Sequence, residues 1–507
     1  MNEDLFDRSP TGLKAAVSSK PVRLSNEDTY ELRIRPVRKK IGNATVRMLG
    51  YNGMIPGPLL VVDRGSQVTV TVSNEADLET TVHWHGLRLK NAFDGVPNYT
   101  QDPIPVGGQY SYRLDFPDEG IFWYHPHLRE DYSQELGLYG NILVVPSDAD
   151  YWSPVDREVV ITLDDLLLEN GKIAPFSRRH TNRAAMGRYG NVFLVDGRTD
   201  WSLQTRQGEV VRFFLTNTAN SRTFNLSMSG AVMKLVGGDS GRVEEEELVD
   251  EVLLSPSERA VIDVLFNQAG TVVLQSRTPE KIYELGAVTV NATDTTALRE
   301  ERFFKLRHFA AFDDERRRLP YEVQRAADKT ILLDGSMMMP EHSMSEHSMP
   351  EHSMPAEGSS DARLPGVAPA TMKEIEWEDD MPQMNAMTTS ANMVWSITDS
   401  ETGLSNDQID WVFRRGDRVK IRIVNRIDSD HPMQHPIHFH GQRLLVLRRN
   451  DDLNRNLVWK DSVLVKTGEV VEVLMDASNP GSWMVHCHIA EHLESGMMFS
   501  FRVGERV

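Results

Sequence analysis

The sequence predicts an all-β chain built from three related Greek-key β-sandwich domains, and three observations predict it. First, one pattern of glycine, alternating apolar residues and a closing asparagine recurs at Gly65–Asn74, Gly208–Asn217 and Gly416–Asn425. Apolar alternation with period two between turn residues is the signature of a half-buried strand. Second, each copy is followed by a further unit, at Gly108–His127, Ser257–Arg277 and Gly468–His488, that reads as a strand, a turn ending in glycine, and another strand. Third, helical periodicity is scarce, as Greek-key sandwiches require.

The spacing of the copies sets the domain boundaries. They begin at 65, 208 and 416, so the second gap exceeds the first by 65 residues. The excess falls where composition changes, and it divides the chain into a first domain at 22–147, a second at 148–310, an insert and linker at 311–375, and a third domain at 376–507. Three domains also suit a chain of 507 residues.

Composition excludes several functions. A net charge of −19 argues against nucleic-acid partners and anionic membranes. No stretch approaches the roughly 20 apolar residues needed to span a bilayer. Met1–Lys20 is polar and lacks an apolar signal core. The expectation is a cytoplasmic protein if Met1 is the native start, or one whose signal has been removed.

The chemistry gathers in the first and third domains. Cys487 is the one cysteine of the chain, flanked by His486 and His488, with His492 and Met497 following at five-residue intervals. Thiolate, imidazole and thioether together are the ligand set of a blue-copper electron-transfer centre. A lone buried cysteine needs no such company. Four His-x-His pairs complete the pattern: His83/His85 and His125/His127 in the first domain, His438/His440 and His486/His488 in the third. On a strand, residues i and i+2 face one side, so each pair aims two imidazoles at one point. Eight imidazoles between two domains are enough for three metal ions with open positions. The middle copy has Gln275, Ser276 and Arg277 where the others carry histidines, and nothing matches the other pair around Phe224-Asn225-Leu226. The middle domain therefore reads as a spacer.

These motifs, His83-Trp-His85-Gly, His125-Pro-His127, His435-Pro-Ile-His438-Phe-His440-Gly and the Cys487 stretch, make the chain resemble a three-domain multicopper oxidase of the laccase and cuprous-oxidase type from about Val22 to Val507, apart from the insert. The resemblance implies cupredoxin-like domains and four copper ions. It implies a type 1 site of His435, Cys487, His492 and axial Met497, a type 2 site of His83 and His438, and a type 3 pair held by His85, His125, His127, His440, His486 and His488. It further implies that a reductant gives single electrons to the type 1 copper, that Cys487 passes them to His486 and His488, and that dioxygen is reduced to water. Asp94 matches the family's carboxylate beside the type 2 copper, which orients a ligand and relays protons. Many bacterial relatives place a glutamate straight after the last type 1 histidine, where this chain has Leu493. Glu130 and Asp131 are candidate substitutes, though solvated surface carboxylates are the simpler reading.

Between Met337 and Met393 lie 11 of the 22 methionines, including the repeats Glu341-His-Ser-Met, Glu346-His-Ser-Met and Glu351-His-Ser-Met. Thioethers suit Cu(I), and His342, His347 and His352 suit either copper state. The segment resembles methionine-rich stretches of copper-tolerance oxidases, although a linker would tolerate the same composition. Downstream, Asp379, Asp380, Met381 and Met384 form a candidate substrate-copper site. His180, His308 and His431 read as isolated. The expected function is a laccase-like oxidase of phenols or aromatic amines, with a cuprous oxidase as the alternative and dioxygen as co-substrate. Copper nitrite reductases share such domains but lack type 3 histidines, and a storage protein would not keep every ligand. A monomer suffices, since both metal-bearing domains lie in one chain. The family points to a periplasmic or extracellular setting.

Overall fold

The computed structural model describes residues 4–293, 297–337 and 373–505. Each of the three copies of the repeat forms the same piece of structure. The strands Gln67–Asn74, Glu209–Asn217 and Asp417–Asn425 alternate buried and less buried residues in the first case and are more fully buried in the other two. Each runs antiparallel to a following strand, respectively Gln109–Asp115, Arg259–Phe266 and Val470–Ala477. Each also runs parallel to a preceding one: Thr29–Ile41, Arg157–Leu166 and Lys329–Met337. A second sheet faces each of these to close a sandwich, and the three main apolar cores lie between the paired sheets.

Lys329–Met337 corrects the boundary expected from the sequence. It lies in the six-stranded sheet of the third sandwich, between Met393–Asp399 and Asp417–Asn425, with Ile331 and Leu333 fully buried. The third domain thus begins inside the segment assigned to insert and linker. Its partners are about 60 to 90 residues away in sequence, and no local pattern announces so distant a pairing. The helix Asp313–Gln324, also within that segment, places Leu319 with Phe309 and Phe312 against Leu445, Leu447 and Leu474 of the third sandwich. The Arg316–Glu244 pair joins this helix to the middle domain. The three Glu-His-Ser-Met repeats lie outside the described residues.

Strand register delivers the histidines. Gly120–His125 pairs antiparallel with the short strand His83–His85, setting His83 opposite His125. In the third domain Gly481–Cys487 pairs with His435–Phe439, setting His486 opposite His438 and Cys487 opposite Ile437. Both strand pairs end at the interface of the first and third sandwiches. There Asn91 donates to the Ser482 carbonyl at 2.5 Å and Asn479 to the Leu89 carbonyl at 2.9 Å.

If Lys329–Met337 is a core strand, Leu333→Ala should lower stability by about 2–5 kcal/mol, the usual cost of emptying a buried leucine site, measured by thermal or denaturant unfolding. A change near zero would return the strand to the linker.

Candidate metal centre

Among the described residues, four groups of histidines and cysteine converge within ligand distance of one another, with a fifth that includes a carboxylate: His83, His85 and His438; His85, His125 and His488; His127, His440 and His486; and His435, Cys487 and His492. All are buried. The first two groups share His85, and a further set, His83, Asp94 and His440, links the first group to the third, so these form one cluster between the first and third domains, while the group of His435, Cys487 and His492 lies inside the third.

Each imidazole of the cluster has to solve the same problem. Burial, reinforced by the neighbouring imidazoles, pushes the pKa values of His85, His125, His127, His440 and His486 down, so these rings are neutral with one N–H and one lone pair. Six of the rings turn one nitrogen away from the cluster onto a hydrogen-bond partner. His83 Nδ1 meets the Asp94 carbonyl at 2.8 Å, His125 Nδ1 the Pro126 carbonyl at 2.8 Å, His438 Nδ1 the Asp461 carbonyl at 2.9 Å and His486 Nδ1 the Cys487 carbonyl at 2.9 Å. His440 Nδ1 bonds Asp94 Oδ2 at 2.9 Å, and His85 Nε2 bonds Asp461 Oδ1 at 3.0 Å. The opposite nitrogens, Nε2 of His83, His125 and His438 and Nδ1 of His85, have no hydrogen-bond partner. His440 Nε2 faces His486 Nε2 at 3.0 Å and His127 Nε2 at 3.3 Å. Lone pairs brought together without protons repel, and a cation among them removes the repulsion. The donor set therefore fits metal ions, with nitrogen ligands whose orientation is fixed by their outer hydrogen bonds.

The fourth group has the mixed ligand set. Cys487 Sγ lies 3.6 Å from His435 Nδ1 and 3.7 Å from His492 Nδ1, and the two nitrogens are 3.3 Å apart. Burial pushes the Cys487 thiol up, so the thiolate forms only against a cation. Burial lowers His435 to about 3. Met497 is buried in the same core, and its carbonyl accepts the Cys487 N–H at 3.1 Å. Trp395 stacks on His492 with ring centroids 4.0 Å apart and donates its indole N–H to the Ala184 carbonyl at 2.7 Å. His492 Nε2 lies 3.3 Å from the Ala185 carbonyl. The loop carrying Ala184 and Ala185 belongs to the middle domain, and it covers this group.

Two carboxylates differ from their sequence reading. Glu130 and Asp131 are buried, not solvated. They sit on the turn Glu130–Ser133, which follows Arg129 in the left-handed region at φ 49° and folds back over the cluster. Glu130 Oε1 is 3.3 Å from His127 Nδ1 and Oε2 is 3.8 Å from His125 Nδ1, and neither oxygen has a hydrogen-bond partner. Burial, with Glu494 and Asp131 nearby, pushes the Glu130 carboxyl well above its ordinary value. Asp131 is held by Arg129 at 2.8 and 3.0 Å. Leu493 is buried.

Of the four residues expected to hold substrate copper, Asp379 lies near His431, while its oxygens accept from Met381 N and Asn385 Nδ2. Asp380 pairs instead with Lys373, and Met384 is exposed. His431 is not isolated: its Nε2 is 3.1 Å from Met186 Sδ, and its ring lies 5.9 Å from Trp395. Sequence reasoning also missed Asp461, Arg259 and Trp395, whose partners are all remote in the chain.

Two sequence models of the multicopper oxidase family match the chain, at residues 35–149 and 376–507, the stretches that carry the histidine motifs. The chain belongs to the multicopper oxidases. It is 26% identical to multicopper oxidase MmcO of Mycobacterium tuberculosis, over 92% of this chain and 86% of that protein. It is 24% identical to a copper resistance protein A homolog of Pseudomonas syringae pv. tomato, over 94% of this chain and 92% of that one. The fold is shared with a multicopper oxidase from Campylobacter jejuni, with a TM-score of 0.69, 20% identity and coverage of 99% of each chain. It is thus a copper-binding oxidoreductase that uses dioxygen and a reducing substrate. Among the described residues no helix is long and apolar enough to cross a membrane.

A further buried acid, Glu135, supplies a pH test of the domain junction beside the site. Neither of its carboxylate oxygens has a hydrogen-bond partner, and burial raises its pKa well above 4.5 while Arg188 opposes the shift. Stability from the neutral carboxyl is complete below the unfolded value near 4.5 and is lost as pH rises through the folded value. Glu135→Gln should therefore leave Tm unchanged near pH 4 and raise it relative to the unsubstituted protein at higher pH, flattening the Tm–pH curve.

Proposed function

We propose that this multicopper oxidase holds four copper ions and couples one-electron oxidation of a small reductant to four-electron reduction of dioxygen to water. The observation that carries the reading is the completeness of the ligand set. His435, Cys487, His492 and Met497 would hold the type 1 ion, His83 and His438 the type 2 ion, and His85, His125, His127, His440, His486 and His488 the type 3 pair. Copper so bound supplies a soft-ligand electron acceptor at the cysteine and an oxygen-reducing cluster at the histidines. Cys487 sits between His486 and His488 in the chain, so one ligand strand links the two sites covalently.

Oxygen reduction consumes protons, and two buried carboxylates face the cluster. Asp94 accepts from His440 and, through its carbonyl, from His83, while its Oδ1 has no hydrogen-bond partner. Glu130 lies against His125 and His127 on the other side of the histidine pairs. In this reading each holds a proton at the site, and Glu130 takes the part that a glutamate at position 493 plays in other bacterial relatives.

Laccase-like donors, phenols and aromatic amines, are one reading of the reductant. The geometry favours Cu(I). His435 and His492 are buried beneath Trp395 and the Ala184–Ala185 loop, which limits the approach of a bulky ring. Beside Trp395, His431, Met186 and nearby Asp379 offer imidazole, thioether and carboxylate to a cuprous ion. The relatedness to a copper resistance protein supports the same choice.

The copper-loaded protein should show a strong visible thiolate-to-copper band and about four coppers per chain, as the ligand count requires. Cys487→Ser should abolish the band. A colourless protein without oxygen uptake would overturn the oxidase reading. Glu130→Gln and Asp94→Asn should each slow oxygen uptake by about 100-fold or more, the scale of a lost proton donor, with the visible band retained. His431→Ala with Met186→Leu should lower oxygen uptake on Cu(I) while sparing a small phenol, and equal losses on both would remove the preference for Cu(I).

A further inference from the structure

The middle domain has lost the paired histidines of the other two, but its side chains still reach the site, Arg259 foremost among them. Arg259, on the strand Arg259–Phe266, is buried at the point where all three domains meet. Its Nη1 donates to Asp461 Oδ1 at 2.7 Å, and its Nη2 donates to Asp461 Oδ2, giving a two-pronged pair with a third-domain carboxylate. Nε approaches the Ile121 carbonyl of the first domain at 3.3 Å. Nη1 also reaches the Ser257 carbonyl at 3.0 Å and Nη2 the Asp239 carbonyl at 3.0 Å, while the Arg259 backbone N–H donates to Asp239 Oδ1 at 2.8 Å. The guanidinium is thereby fixed in its own domain and presented to the other two.

Asp461 spends its remaining capacity on the cluster. Its Oδ1 accepts from His85 Nε2 at 3.0 Å, and its carbonyl accepts from His438 Nδ1 at 2.9 Å. These two rings come from different domains and stack with centroids 3.7 Å apart. The next residue, Ser462, lies with its Oγ 3.2 Å from His438 Nδ1 and 2.8 Å from Ser257 Oγ of the middle domain. Packing leaves no slack. Gly86, which follows His85 and has φ +83°, would with any Cβ come within 2.5 Å of Asp461 Oδ2 and 2.7 Å of Arg259 Nη2.

We propose that Arg259 is a positioning residue of the histidine cluster: through Asp461 it sets the ring orientation of His85 and His438, so the middle domain builds the site without contributing a ligand. The proposal rests on the copper reading above. A free Asp461 carboxylate could turn, and His85 would then lose the bond that keeps its Nδ1 lone pair aimed inward. Loss of such an outer partner typically costs about 10–100-fold in metal affinity.

The test uses the full-length, copper-loaded protein and compares Arg259→Gln with the unsubstituted chain. Arg259→Gln is expected to keep the visible type 1 band, to surrender cluster copper to a chelator about 10–100-fold more readily, and to show a changed type 2 copper paramagnetic resonance spectrum. Arg259→Lys, which keeps the charge and loses the fork, should recover part of the affinity. An Arg259→Gln protein with full copper, an unchanged type 2 spectrum and ordinary chelator resistance would overturn the proposal. If Arg259→Gln loses the type 1 band through misfolding, Asp461→Asn decides: the same spectral change upholds the role, and an unaltered spectrum removes it. An unsubstituted protein that binds no cluster copper would instead overturn the copper reading itself, and this proposal with it.

Discussion

The structure depends on keeping eight imidazoles neutral and aimed while they are buried together. Charging them in so small a volume would set like charges side by side in a low dielectric, and desolvation adds to the penalty. Neutral rings avoid that cost but acquire another, because each has one N–H to satisfy and one lone pair to leave free. Six rings solve it by turning the N–H outward onto Asp94, Asp461, Pro126 or the Cys487 carbonyl. What remains is a chamber of lone pairs whose favourable completion is a cation. The antiparallel register of His83 with His125 and of His438 with His486 exists within this constraint, since a slip of one residue would send the imidazoles to the opposite face of each sheet.

Much of this was legible in the chain because it is encoded locally. The glycine-to-asparagine repeat states a strand between two turns, and His-x-His on a strand states two rings on one face. Cys487 between two histidines needs no third dimension to be noticed. The illegible parts are those in which the decisive partner is far away. Lys329–Met337 looks like an approach to a low-complexity insert, and only its place beside Asp417–Asn425 makes it a core strand. Glu130 follows a metal motif in a polar stretch that reads as surface, and the left-handed turn at Arg129 folds it inward. Asp461, just before the strand Ser462–Val465, and Arg259, at the start of its own strand, lie 202 residues apart in ordinary sequence, with no motif to join them.

The middle domain shows how a repeat can lose its ligands and remain part of the site. Its second element starts at Ser257, in register with Gly108 and Gly468 of the other copies. The other copies use the far end of this element for histidines. The middle copy uses the near end, where Ser257 meets Ser462 and Arg259 meets Asp461. Its Ala184–Ala185 loop meanwhile covers the cysteine-bearing group. A domain read as a spacer from its missing histidines therefore touches both metal groups by other means.

These junctions are made of charge, which is a costly way to join domains. Arg259 with Asp461 and Arg222 with Asp165 are buried ion pairs, and Lys460, partly buried, pairs with Asp239 and Glu258, all at or beside the contacts between sandwiches. Well-packed apolar residues of similar volume generally stabilise as well or better, because desolvating two ions consumes most of their attraction. Apolar contacts, however, tolerate sliding, whereas a two-pronged guanidinium–carboxylate pair fixes distance and angle together. The cluster draws its ligands from two separate sandwiches, so small relative displacements would spoil ligand distances that must hold to a few tenths of an ångström. Directional charge pairs at the three-domain junction address that problem, and their energetic cost is the reason to look for a function where they occur.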